Sequence, residues 1–488
     1  MPPAVTATIE HARRCFEQGD YEDSLLLLSE LGPRWADTRA AGVLSRDVYL
    51  KLGELSAALG EVNRILRHEA DQGLRRQARF LLGRLRETEP GWLPTVSNID
   101  QWTPEPKTVL HILKESLPYV ETGFTFRSRM TLRAQAAAGY LPVVVTSLGF
   151  PRTKGVESFP SVEDVDGVKH YRLDPGSEVN TRAIPFDLLL EDQARMTGAV
   201  AAEAKPALVQ AGSGFRGYDT ALVGLSIASK AGLPFIYEVR GFQEQTWTSD
   251  IPRSEKGEYY RRRRAQELRC LEAADAVITI AEAMVEEIIA RGISPEKVHL
   301  VPNAVDVDRF TPRPKSPDLL AEMGLNGRQV IGYISNLGWR EGLTHLIKAT
   351  ELLVRGGHDV GCLIVGDGPE RSSLERLAAD LGLQERVIFT GHVPNQQIEE
   401  HYALIDVFVV PRLNDRASRM VTPLKPLEAM AMNIPVVASD LPALREMVLP
   451  DERGLTFQPG DEFDLARVVG DLLLDEPRRV KMAERARE

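Results

Sequence analysis

The residues with the most chemical promise lie between Arg412 and Asp440. Arg412, Arg416, Arg419 and Lys425 bring four cations to a proline-rich loop, which opens a helix carrying Glu428 in its first turn. Unpaired amides ahead of a helix, and the helix dipole itself, favour negative charge. In a chain of formal net charge -11, four cations converging on one helix start point to a bound polyanion, with a phosphate-bearing ligand the first candidate. Gly123 is a second candidate, just before a helix bearing Arg127, Arg129 and Arg133. A glycine there lets backbone approach an anion closely, and arginines can neutralise it. Gly366, Gly368 and Gly391 follow apolar runs, where bare backbone leaves room for a flat base or a ribose, and the loop Ser335 to Gly342 follows another. No Ser/His/Asp set or pair of carboxylates has a spacing that suggests a protein nucleophile or general base. GxGxxG is absent, and Cys15, Cys270 and Cys362 lack a metal-ligand rhythm and fit buried thiols in a reducing compartment.

These residues need a scaffold, and the chain supplies an alternating one from Val109 onward. Apolar runs at Val109, Val143, Ala207, Phe235 and Ala276 are separated by helical patterns at Arg127–Ala138, Tyr218–Ala231 and Tyr259–Ala273. The same texture returns with runs at Val330, Gly361, Arg386, Val407 and Ile434 and helices at Leu343–Arg355, Arg371–Leu381 and Gln397–Leu404. Strands alternating with helices predict parallel sheets covered on both faces, with ligands at the strand C-terminal ends. The fold class expected is therefore α/β, two tandem Rossmann-like doubly wound domains over residues 109–305 and 306–488.

Residues 1–90 read differently, as helices without strands. Gly19 and Gly53 open similar segments at an offset of 34 residues, which places Phe16 on Leu50, Leu25 on Leu59, Leu28 on Val62 and Leu31 on Ile65. That period is expected of tetratricopeptide-like helical hairpins, and part of a third copy shows at Gln77–Leu85. A plain helix bundle is the alternative; either suits docking of a partner or self-association. Residues 91–108, within the proline-rich and aperiodic stretch Glu87–Thr108, read as a linker.

Composition excludes several classes. The 43% hydrophobic and 26% charged residues over 488 positions suit a globular protein of about three units. The acidic balance argues against nucleic acid polymers as partners. No run approaches the roughly 20 apolar residues of a membrane span, and the N-terminus has no signal-peptide core, so a cytoplasmic protein is expected. Peripheral membrane contact stays open through Arg261–Arg264, which could touch an anionic leaflet; the plainer alternative is a solvated helix face pairing with Glu255, Glu258 and Glu267.

With VPNAVDVDRF, GDGPE, FTGHVP, DVFVVP and above all PLEAMAMNIPVVASDLPALREMV in view, the region from Val109 onward resembles the family 4 retaining glycosyltransferases of the two-domain GT-B fold. The resemblance implies a nucleotide-diphosphate sugar held mainly by the C-terminal domain, a hydroxyl acceptor held mainly by the N-terminal one, and neither metal nor cofactor. It implies that Glu428 accepts hydrogen bonds from the ribose, that the Thr422, Pro423 and Leu424 backbone meets the diphosphate and sugar, and that Gly391 and Val393 frame the base. Gly123 would meet the diphosphate from the N-terminal domain. The chain departs from the pattern: Met420 stands where the first glutamate of the motif is expected, and Asn336 and Glu341 replace the arginine and lysine of the phosphate clamp. Val239-Arg240 replaces a histidine. Lys425, Arg412 and Arg240 are therefore expected to substitute for the lost cations as catalytic residues. A nucleotide-sugar-binding or scaffold protein with impaired catalysis is the competing expectation. The chain ends in MAERARE, where the resemblance implies a further segment returning to the first domain.

Overall fold

The computed structural model describes residues 1–32, 35, 38–96 and 101–488. They divide into two compact units, Met1–Ile278 with Arg291–His299, and Thr279–Ala290 with Leu300–Glu488. Residues 33, 34, 36 and 37 of the helical region and 97–100 of the expected linker lie outside the described residues.

The first unit opens with α1 (Pro3–Gln18), α2 (Tyr21–Ser29), α3 (Arg39–Leu52), α4 (Leu55–Leu66) and α5 (Gln72–Glu87). Gly19 and Gly53 end α1 and α3 at φ of 92° and 74°, left-handed values that glycine adopts without a Cβ clash. Each thereby turns the chain back into a hairpin, and the 34-residue offset falls on equivalent turns. Leu28 and Val62 are buried at equivalent places, as are Leu31 and Ile65. Helix α5 stands where α3 would recur one period later.

The sheet of this unit runs β1 (Thr108–Leu113), α6 (Gly123–Ala137), β2 (Leu141–Thr146), β3 (Val162–Val165), β4 (Val168–Tyr171), α7 (Phe186–Ala204), β5 (Leu208–Gly212), α8 (Asp219–Ala231), β6 (Phe235–Val239), α9 (Gly257–Ala273), β7 (Ala276–Thr279) and β8 (Val298–Leu300); α10 (Glu282–Ala290), between β7 and β8 in the chain, belongs to the second unit. Strand order is β3-β4-β2-β1-β5-β6-β7-β8. Central β1 pairs in parallel with both β2 and β5, and every residue in it is buried, hence its nearly unbroken apolar run. The hairpin of β3 and β4 is antiparallel at the edge. Its sequences VEDV and VKHY are too short and charged to stand out as strands.

The helical region is built into this unit. Tyr259 on α9 donates its backbone N–H to Gly53 O at 2.9 Å, and Ser56 donates from N and Oγ to the Glu258 carboxylate at 2.7 and 2.6 Å. Glu87, fully buried, pairs with Arg216, and Gln266 donates to the Glu87 carbonyl at 2.8 Å. The stretch after α5 is pinned as well, Trp102 Nε1 donating to Pro206 O at 3.1 Å and Glu105 N to Lys205 O at 2.8 Å. Helix α9 carries the arginine run 261–264, of which Arg261 and Arg264 are exposed while Arg262 and Arg263 are engaged within the unit. Arg262 pairs with Glu258 at 2.6 Å, and Arg263 is buried, donating to the Arg216 carbonyl at 3.2 Å. Glu267, expected to face the arginines, is instead buried beneath Tyr237, whose hydroxyl donates to it at 2.7 Å.

The second unit contains β9 (Gln329–Ile334), α11 (Leu343–Arg355), β10 (Val360–Val365), α12 (Arg371–Asp380), β11 (Val387–Gly391), α13 (Ile398–Ala403), β12 (Val407–Val410), α14 (Arg416–Met420), α15 (Lys425–Ala431), β13 (Val436–Ser439), α16 (Pro442–Val448), β14 (Gly454–Phe457), α17 (Glu462–Leu474) and α18 (Glu476–Arg487). Its strand order, β11-β10-β9-β12-β13-β14, grows one way from β9 and then the other from β12, with parallel pairing throughout. Such a reversal opens a crevice at the carboxyl ends of the two central strands. Among the described residues, no helix is long and apolar enough to cross a membrane.

Candidate functional site

The crevice of the second sheet is made by the loops after β9 and β12. Gly342 has φ of 66°, and a Cβ there would stand 1.9 Å from Pro411 O, so these loops touch and admit no side chain between them. Arg412 crosses the contact: Nε and Nη2 each donate to the Glu341 carboxylate at 3.2 Å, and Nη1 donates to the Val421 carbonyl at 3.2 Å. Tyr333 OH also donates to Glu341. The expected cluster of four free cations is therefore corrected. Arg412 belongs to Glu341, Arg416 donates to Glu287 at 2.9 Å, and Lys425 Nζ donates to Glu428 Oε2 at 3.0 Å, which leaves Arg419 exposed. The glutamate that replaces a family lysine and the arginine expected to compensate are partners, so Arg412 holds the Val421 segment in place.

Glu428 is presented by the first turn of α15. Its Oε2 accepts from Tyr402 OH at 2.7 Å as well as from Lys425, which fixes the rotamer and leaves Oε1 without a partner among the described residues. Tyr402 is itself fully buried. Thr422 is anchored from both sides: Asn303 Nδ2 donates to its carbonyl at 2.8 Å, and its hydroxyl donates to Ile280 O at 3.2 Å. The backbone N–H groups of Thr422 and Leu424 find no acceptor among the described residues, and Pro423 between them has none to offer. A carboxylate oxygen and two amides, all held by neighbours, are thus gathered within one short segment. Met420 ends α14 and supplies no carboxylate.

The glycine series has another cause than ligand space. A Cβ on Gly366 would lie 1.8 Å from Ser335 O and one on Gly368 2.5 Å from Asn336 Oδ1, so both glycines admit the β9 loop. At Gly391 the space holds the Arg371 guanidinium. Asn336 is exposed, and Val393 is partly buried against the core.

In the first unit, Gly123 begins α6, capped by Thr122, whose N–H donates to Thr125 Oγ1 at 2.9 Å. The arginines expected to serve an anion there are committed elsewhere: Arg127 Nε donates to Glu238 at 2.8 Å and Arg129 pairs with Asp166. Arg240, expected as a replacement cation, is buried. It donates to Glu238 at 2.6 Å, to Phe124 O at 2.8 Å and to Ser128 Oγ at 2.7 Å. Burial opposes charge on Glu238, but Arg240 and Arg127 outweigh it and hold the carboxyl at about 2. Arg240 therefore locks β6 to the first turn of α6. Glu238 could have been singled out from sequence as an acid inside the apolar run FIYEV, whereas Tyr402 gives no such signal.

Comparison with known proteins agrees with this architecture. A family model described as glycosyl transferase 4-like domain matches residues 122–304, and one described as glycosyl transferases group 1 matches residues 319–488. The chain belongs to the family 4 glycosyltransferases of the GT-B fold. A GDP-mannose-dependent alpha-(1-6)-phosphatidylinositol monomannoside mannosyltransferase of Mycolicibacterium smegmatis is 39% identical over 193 residues, 39% of this chain and 50% of that protein. A 2-deoxystreptamine glucosyltransferase of Streptomyces kanamyceticus is 31% identical over 220 residues, 44% of this chain and 55% of the relative. The chain thus spans about half the length of the curated relatives it matches. Among solved structures, sucrose-phosphate synthase of Thermosynechococcus elongatus superposes with a TM-score of 0.64 at 22% identity, covering 78% of this chain and 93% of that one. Anabaena HepE in complex with UDP and glucose gives 0.58 at 19% identity, with the same coverage. The helical region lies outside both family models.

Proposed function

We propose that the protein is a glycosyltransferase that moves a sugar from a nucleotide-diphosphate donor to a hydroxyl acceptor with retention of configuration and without a metal. The observation that carries this reading is Glu428, clamped through one oxygen by Tyr402 and Lys425 while the other is free to accept from a diol. Two relatives named for GDP-mannose and glucosyl transfer, and a structural neighbour holding UDP, agree with a nucleotide-sugar donor. In this reading the ribose hydroxyls donate to Glu428, the amides of Thr422 and Leu424 meet the diphosphate, and Gly391 and Val393 border the base. Lys425, three residues before Glu428, would exchange its bond to that carboxylate for one to the phosphates. As the diphosphate departs, negative charge grows on it, and fixed amides stabilise that charge without reorganising. The acceptor hydroxyl attacks the anomeric carbon from the face the diphosphate leaves and passes its proton to a phosphate oxygen, so no protein nucleophile is needed. Gly123 would meet the diphosphate, and the first unit receives the acceptor.

Thermal melting with UDP, GDP, ADP and TDP tests the donor half, since a ligand of the folded state raises the melting temperature. Mass spectrometry of donor hydrolysis tests the chemical half. A donor that binds but is neither hydrolysed nor transferred would favour the second reading, a nucleotide-sugar-binding protein, for which Met420 and the Glu341–Arg412 pair speak.

A further inference from the structure

The first unit contains a cavity of about 410 Å³ that the family match does not account for, because one wall comes from the helical region. Phe80 and Arg84 of α5 form that wall; the opposite side comes from the segments that follow β2 and β5, including Lys154 and Phe215, and from Arg182 and Phe186 near the start of α7. Strands β2 and β5 flank central β1, the point from which the sheet grows in two directions, so the cavity lies where open α/β sheets receive ligands. Its charge is one-sided. Lys154 pairs with Glu115 at 2.9 Å, and Arg216, another lining residue, pairs with buried Glu87. Arg84 and Arg182 have no carboxylate partner among the described residues. Arg84 stands over the Tyr259 ring at 5.7 Å, and the Arg182 guanidinium donates to the Thr153 carbonyl at 3.3 Å. The single acid in the lining, Asp219, is buried and accepts from the backbone N–H groups of Phe215 and Arg216. Around these cations the lining alternates phenylalanine rings (Phe80, Phe150, Phe186 and Phe215) with polar groups such as Thr153 and Gln193, and Phe215 is 49% exposed.

Two uncompensated guanidinium groups set among phenylalanine rings match an anion attached to an apolar body. We propose that this cavity is the acceptor site, and that the helical region acts as a specificity element selecting acceptors that carry a phosphate or carboxylate beside an aromatic or aliphatic segment. This rests on the glycosyltransferase reading given above. Arg84 and Arg182 hold the anion, Phe80, Phe186 and Phe215 hold the apolar part, and the acceptor hydroxyl is left outside this grip.

Phenyl phosphate is the probe, titrated calorimetrically into the full chain beside phenol and inorganic phosphate. Phenyl phosphate is expected to bind at least tenfold more tightly than either fragment. R84Q and R182Q should each weaken it by roughly tenfold or more, as for loss of a charge-assisted hydrogen bond, and R84K should restore part of the loss; thermal melts of each variant report the fold. Absence of saturable phenyl phosphate binding, or binding that neither R84Q nor R182Q changes, overturns the proposal. Vesicles of phosphatidylcholine with phosphatidylinositol separate the sources of the anion: co-flotation competed by phenyl phosphate indicates a lipid headgroup, and phenyl phosphate binding without flotation indicates a soluble acceptor. Nucleotide melts on the same preparation keep the two readings apart. Nucleotide binding without phenyl phosphate binding removes this inference alone, and the reverse removes the transferase reading while the anion pocket stands.

Discussion

Replacing Arg240 by methionine distinguishes a catalytic cation from a positioning one. In the structure this guanidinium donates to three partners within the first unit, Phe124 O, Ser128 Oγ and the Glu238 carboxylate, and the last two side chains are buried with it. Removing one member of a buried ion pair costs about 3–5 kcal/mol, because the remaining charge is stranded. Arg127 stays beside Glu238, which puts the expected loss at about 3 kcal/mol, the low end of that range, and for a unit of this size that is a fall of about 5 °C in melting temperature. The pH dependence carries a sign. Glu238 titrates at about 2 in the fold against its usual 4.5, so its contribution is present above about 4.5 and is lost as pH falls towards 2. Without Arg240 only Arg127 offsets the burial of the carboxyl, which therefore takes its proton at higher pH. The difference in melting temperature between the native protein and R240M should therefore narrow as the pH is lowered through this window, measured by scanning calorimetry. Donor affinity per folded molecule should be unchanged. An R240M protein that melts at the native temperature yet no longer turns over its donor would refute this and return Arg240 to the reacting diphosphate.

At the second unit, E428Q should weaken nucleotide binding about 10- to 100-fold through loss of a charged acceptor, and Y402F by about fivefold through loss of its orienting hydrogen bond; equal affinities by calorimetry would remove Glu428 from the donor site. Burial pushes the Glu267 carboxyl up to about 8, so its stabilising share holds below about 4.5 and is lost as pH rises through about 8. E267Q should accordingly flatten the decline of melting temperature between pH about 4.5 and about 8, and an unchanged slope in that window would contradict it. Gly257, at φ of 85°, has Leu52 O 2.2 Å from where a Cβ would stand, so G257A should loosen the helical region. Limited proteolysis near residue 90 reports this, and native resistance would count against the docking described.

The two parallel sheets were legible because both faces of their strands are covered, which writes long apolar runs at regular intervals into the chain. The helical region was legible through Gly19 and Gly53, whose left-handed turns recur at one period. Charges were not. Arg412 lies 71 residues from Glu341 and Arg127 lies 111 residues from Glu238, and each looked like a spare cation until the fold supplied its acid. The glycines after β10 misled for a related reason: they make room for another loop of the same protein, and a bare backbone looks the same in sequence whichever neighbour approaches it. Glu428 was legible as a carboxylate in the first turn of a helix, whereas Tyr402, 26 residues away, is a partner that only the fold reveals.

The buried contact between Glu87 and Arg216 sets where this protein can be divided. The family match begins at residue 122, yet a chain started there would leave Arg216 facing an apolar wall without its counter-charge and would uncover the Tyr259 and Trp247 rings now covered by α4 and its neighbours. The evolutionary module and the thermodynamic one therefore have different edges. Grafting the sheet domain onto another donor-binding half would succeed only if the first ninety residues travelled with it.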